Sequence, residues 1–121
     1  ATVDASFMKR DFDTNLISYC NGTDPDIGVK RMYVSDNIGP IPFSNAAAYR
    51  DPRVDELFEA AGRTSVRDDR RDAYHEIQEI VGRDLPYWWL VETTFVSGYL
   101  DTLEGFAPWT GQFAEHARYR Q

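Results

Sequence analysis

The run from Ser65 to Pro86, SVRDDRRDAYHEIQEIVGRDLP, leaves few options for the fold around it. Ser65 with Asp68 three residues on is an S-x-x-D capping pattern, and Asp68 and Asp69 suit the positive end of a helix. Ala73, Tyr74, Ile77, Ile80 and Val81 then recur at helical spacing, so the pattern predicts an amphipathic helix near 66–83. Pro86 prevents its continuation, and the bulky run YWWLV at 87–91 suits a buried strand. A second helix is predicted near 52–61. Asp51 can accept from orphan amides, Pro52 loses nothing at the first position, and Val54, Leu57, Phe58 and Ala61 form one apolar stripe before a stop at Gly62.

Upstream, Val3, Phe7 and Met8 before Lys9 and Arg10 read as the end of a helix carrying cations on its negative terminus. Residues 12–19 read as a strand whose adjacent Leu16 and Ile17 point to opposite faces, which implies helices on both sides of a sheet. The expected class is therefore α/β, with α+β as the alternative, and with 12–19 and 87–91 in one sheet. Between them, 21–49 is rich in Gly, Pro, Asn and Asp, yet Met32, Tyr33, Val34, Ile38, Ile41 and Phe43 favour an ordered loop with short helical turns.

Thirteen basic against twenty acidic residues give a net charge of −7, which disfavours nucleic-acid backbones and anionic lipid surfaces. No apolar run is long enough to span a bilayer. The single Cys20 excludes an internal disulfide framework, and His75 and His116 lack a second ligand at helical spacing, so neither a metal nor a cofactor is expected. Asp24, Asp26 and Asp36 lack the ligand ladder of a calcium loop. No nucleophile and acid–base pair stands out, so an enzyme is not expected. The alternating charges of Arg67 to Asp72 read as a solvated, self-paired face.

Three stretches, DFDTNLISYCNGTDPD, FSNAAAYRDPRVDELFEAAGRT and SVRDDRRDAYHEIQEIVGRDLPYWWLVETT, continue to the 98–106 segment. Together they resemble the C-terminal part of the family 5 extracytoplasmic solute-binding proteins, the peptide- and nickel-binding subunits of ABC importers. Members of that family are several times longer, so the resemblance implies a piece of a two-lobed, hinge-closing protein. Residues 1–92 would form the last part of its second lobe, and 93–121 the return to the first, with the crossover at Glu92 to Thr94. Apolar and aromatic residues after Thr94, among them Phe95, Val96, Tyr99, Phe106 and Trp109, would then lack their packing partner. The implied function is capture of a peptide-like or other small polar organic solute in the periplasm and its delivery to a membrane permease. The alternative is a standalone α/β interaction or regulatory domain without a ligand. The matching family segment lies far from a signal peptide, so the ATVDASFMKRDFD opening does not decide the compartment.

Ser18, Tyr19, Cys20, Asn21 and Gly22 form the candidate ligand-binding segment, because open α/β sheets place their crevice beyond the carboxyl ends of the strands. In the peptide-binding proteins that the chain resembles, an aspartate a few residues before an acidic-Pro pair holds the peptide's free α-ammonium. Aligning Asp24-Pro25 puts Asn21 there, a neutral amide that forfeits the charge-assisted part of the contact.

Overall fold

Asp51 starts the best-formed part of the chain. In the computed structural model, which describes residues 4–19, 21–92, 96, 98, 100–104 and 118–119, its carboxylate accepts from the Arg53 and Val54 amides at 2.8 and 3.1 Å. Helix α2, Pro52–Arg63, follows with Pro52 in its first turn. Its stripe of Val54, Leu57, Phe58 and Ala61 is buried throughout. Gly62 lies inside the last turn rather than ending it; the helix stops at Thr64, whose backbone is extended. Helix α3, Arg67–Asp84, ends where Leu85 turns left-handed and its amide bonds back to Val81. The Ser65 cap is not formed. Val66 holds the capping position without a side-chain bond, and Thr64 Oγ1 accepts from the Val66 amide at 3.1 Å.

The two helices face each other across Phe58 and Tyr74, whose rings are 6.1 Å apart, and the fork of Arg53 closes on Glu76 with bonds of 2.7 and 3.0 Å. Helix α1, Lys30–Tyr33, and the 3-10 turn Ser35–Asn37 are the short helical turns expected in the long loop. They deliver Met32, Tyr33 and Val34 to the core formed by Val54, Leu57, Phe58 and Ile77. A π-helical turn, Asp4–Lys9, brings a fully buried Phe7 against Tyr19 and Phe43.

The expected α/β class, with its α+β alternative, is corrected here. The described residues are 44% helical, and the strand pairing among them is a two-residue antiparallel pair, β1 Leu103–Glu104 with β2 Arg118–Tyr119. Neither expected strand forms. Residues 12–19 are irregular, with Leu16 80% exposed, and residues 88–91 are exposed as well, Trp88 at 77%. The physical reason is that a strand is stabilised only by a neighbour's ladder and by cross-strand side chains. The inward faces of α2 and α3 are instead covered by residues 32–34 and by Tyr19, Tyr49 and Tyr87. A lobe built on a flanked sheet, and with it the two-lobed binding-protein fold, is therefore not what this chain adopts.

The chain divides into two compact units, Ala1–Trp88 and Trp89–Gln121. Val96 is 92% exposed; Thr93, Thr94, Phe95, Tyr99, Phe106 and Trp109 lie outside the described residues, as does the tail around His116. Among the described residues, no helix is long and apolar enough to cross a membrane.

Candidate functional site

Ser18, Tyr19, Asn21 and Gly22, the described residues of the candidate segment, do not follow a strand; they are irregular, with Tyr19 held most firmly. Tyr19 donates its hydroxyl to the Ser44 carbonyl at 3.0 Å, and its ring meets Phe7, Phe43 and Tyr87 edge-on at 6.2 to 6.4 Å. Burial, and then the nearby Tyr87, push the Tyr19 hydroxyl far above its ordinary pKa, so it remains a protonated donor. Tyr19 is thus an anchor rather than a free ligand contact. Ser18, Asn21 and Gly22 are exposed, and Cys20 lies outside the described residues.

Asn21 donates Nδ2 to the Met32 sulfur at 3.7 Å, a weak acceptor that leaves the amide oxygen available. The backbone at 21–22 runs close over Gly28. A Cβ at Gly28 would come within 2.7 Å of the Gly22 nitrogen and 3.1 Å of the Asn21 Cβ, so only glycine fits there. Below it, the Asp24 carbonyl accepts from the Ile27 and Gly28 amides, and Asp24 Oδ1 accepts from the Asp26 amide, closing a tight turn.

Arg70 binds this turn to the helix pair. Its Nη2 reaches Asp24 Oδ1 at 2.8 Å, its Nε donates to the Ala61 carbonyl at 3.1 Å, and its guanidinium lies 5.4 Å from the centre of the Tyr74 ring. The Asp24 carboxyl is held below its ordinary pKa by Arg70 first and by the Asp26 amide second. The run Arg67 to Asp72 is therefore only partly self-paired: Arg71 meets Asp68 and Asp72 at 2.9 Å, while Arg70 turns inward. His75 is exposed on α3.

A polar cleft of about 440 Å³ opens beside the turn, lined by Asp26, Lys30, Arg31, Val34, Asp36, Asn37, Asp55 and Glu59. Lys30 pairs with Asp26 at 3.1 Å, and Asp55 Oδ1 accepts from the Ser35 amide at 2.9 Å. Two cations against four carboxylates make the cleft net acidic. Ser18, Tyr19, Asn21 and Gly22 do not line it. Among the described residues, no group of three or more His, Cys, Asp or Glu side chains is arranged to hold a metal.

Two features escaped the sequence reading. Asn45 is fully buried; its Nδ2 donates to the Val34 and Tyr49 carbonyls at 3.1 and 2.9 Å, and its Oδ1 accepts from the Tyr49 amide at 3.0 Å. Tyr87, expected in a strand, instead donates its hydroxyl to the Met32 carbonyl at 3.1 Å and accepts from the Ala47 amide at 3.2 Å. An asparagine among Gly and Pro reads as a solvated turn residue, so nothing local marks Asn45 as buried. The break after Pro86 was the one available signal that Tyr87 leaves the helix on a new course.

No protein-family description, no curated protein and no solved structure matches the chain.

Proposed function

We propose that the chain belongs to the solute-binding subunit of an ABC importer. In this reading it forms one wall of a periplasmic site for a peptide-like or other small polar organic solute, which passes on to a membrane permease. The observation that carries the reading is the order of three signals: Asp51-Pro52 opening α2, Asp84-Leu85-Pro86 closing α3, and an aromatic run directly after. Each belongs to the stretches in which the chain resembles the family 5 binding proteins, and two of them have clear physical roles here as helix boundaries. The exposure of Trp88, Trp89, Leu90 and Val91 supports it further, because apolar side chains in a run of that size suit burial against more polypeptide or a ligand. Asn21, exposed beside the Asp24 turn, supplies a neutral donor and acceptor for a solute's polar group.

The test is thermal unfolding of the native gene product against a panel of dipeptides, acylated peptides and small polar organic solutes. A binder raises the midpoint in a concentration-dependent way, because it stabilises only the folded state. A panel in which no solute moves the midpoint overturns the proposal and favours an interaction module without a ligand.

A further inference from the structure

We propose that Asn21 is a site of spontaneous covalent modification, converting to aspartate and isoaspartate through a cyclic imide formed with Gly22. In this reaction the Gly22 backbone nitrogen attacks Asn21 Cγ. The new N–Cγ bond closes a five-membered ring, the Cγ–Nδ2 bond breaks, and Nδ2 leaves as ammonia with the proton lost from the attacking nitrogen. Water then opens the ring at either carbonyl, giving aspartate or its backbone-extended isomer. No oxidant or reductant takes part.

Three conditions govern the rate: an uncrowded nitrogen after the asparagine, an amide N–H not committed elsewhere, and access to water. Asn21 meets all three. Its neighbour Gly22 has no side chain, the Gly22 nitrogen passes close only to Gly28, which has none either, both Asn21 and Gly22 are exposed, and the Gly22 amide donates to no backbone acceptor among the described residues. The sulfur contact to Met32 is too weak to hold the side-chain amide in place. Asn37 and Asn45 fail the same conditions. Ile38 and Ala46 carry side chains, and their amides already donate to Ser35 and Ser44 carbonyls at 3.1 and 3.0 Å. Asn45 is also fully buried. Asn15 precedes the branched Leu16. Modification makes the chain one charge more negative than −7. It also abolishes the Nδ2 contact with Met32, since a carboxylate has no N–H to donate.

Gly22→Ala is a clean probe, because an added Cβ meets nothing within 4 Å and the backbone there is not left-handed. The native gene product is aged in mildly alkaline buffer, and peptide mapping by mass spectrometry follows each asparagine. Chromatography separates the two acidic isomers. The expected result is that the Asn21 peptide converts far faster than those of Asn37 and Asn45, with both isomers present, and that Gly22→Ala slows conversion several-fold at an unchanged melting temperature. A urea-unfolded wild-type sample gives the rate set by local sequence alone, so the test stands even if the variant folds poorly. The folded rate at Asn21 should stay close to that reference while Asn37 and Asn45 fall well below theirs. Conversion at Asn21 no faster than at Asn37, or strong protection of Asn21 relative to the unfolded sample, overturns the proposal.

Discussion

The helix pair α2–α3 and the stretch 88–91 are both rich in large apolar side chains, yet the first hides them and the second does not. Phe58 is 1% exposed, whereas Val91 is 84% exposed. In the interior of α2 and α3 the backbone bonds close within the helix, and at the start of α2 the Asp51 carboxylate takes two of the end amides, so an apolar stripe needs only a facing surface. Helix α2 meets α3, and residues 32–34 complete the core. In an extended segment the backbone bonds must come from elsewhere in the chain. Residues 88–91 join no strand ladder among the described residues, and Trp88, Leu90 and Val91 are largely exposed. Apolar content alone thus does not decide burial; the source of the backbone hydrogen bonds does.

The sharpest way to break this contrast is a pair of truncations in the native gene product or the chain itself. Phe58→Ala is expected to cost about 3–5 kcal/mol, as for other fully buried aromatics, while Trp88→Ala in the 121-residue chain should stay within about 0.5 kcal/mol, as an exposed substitution does. Denaturant unfolding of both variants measures this. Equal losses would mean that Trp88 is packed and the contrast false.

Asn45→Ala tests the polar counterpart. It leaves the Val34 and Tyr49 carbonyls and the Tyr49 amide without their partner, and a loss of about 2–3 kcal/mol in the same unfolding measurement is expected. A loss no larger than that of an exposed asparagine such as Asn21 would show that the loop is not held from inside.

Asp51→Ala removes the two cap bonds of α2 and should cost about 1 kcal/mol, visible as a lowered melting temperature. Ser65→Ala, by contrast, should be close to neutral, because no bond from Ser65 caps α3.

Stability should also fall in acid. Asp24, Glu76 and Asp84 are held below their ordinary values by Arg70, by Arg53 and by the Tyr49 hydroxyl respectively. Each carboxylate therefore favours the folded state above its unfolded pKa, 4.5 for Glu76 and 3.8 for the aspartates, and that contribution is lost as pH drops through the lower folded values. Melting temperatures measured from neutral pH downward should decline from about pH 5. Arg53→Gln should flatten part of the decline; a profile unchanged by it would remove Glu76 from the account.

Sequence reading recovered the helix pair because its signals are local. The Asp51 cap and the stripe through Ala61 lie within twelve residues of each other, and the C-terminal break at Pro86 follows directly from proline chemistry. The Ser65 cap failed because α3 starts one residue later than the pattern implies, which puts Val66, a side chain with no acceptor, at the capping position. Residues 12–19 and 87–91 were misread for a different reason: the adjacent Leu16 and Ile17 and the unbroken bulky run YWWLV suit a strand covered on both faces, but a partner far along the chain decides whether one forms. Of the candidate site, Tyr19 was found as a residue but not in its role, since its bond to Ser44 spans 25 positions. The acidic cleft brings together Asp26, Asp36, Asp55 and Glu59 from three separate elements, a juxtaposition no local pattern encodes.

Solute binding is tested most directly at Asn21, by calorimetry of the freshly purified native gene product and its Asn21→Asp variant against free dipeptides and their N-acetylated analogues. A neutral amide cannot offset the desolvation of an α-ammonium as a carboxylate does, so the wild type should bind the acetylated solutes at least as well as the free ones. Asn21→Asp should improve binding of the free-amine peptides by about 1–3 kcal/mol. Tight wild-type binding of free dipeptides that acetylation abolishes would contradict the account, because the ammonium would then be held by other residues.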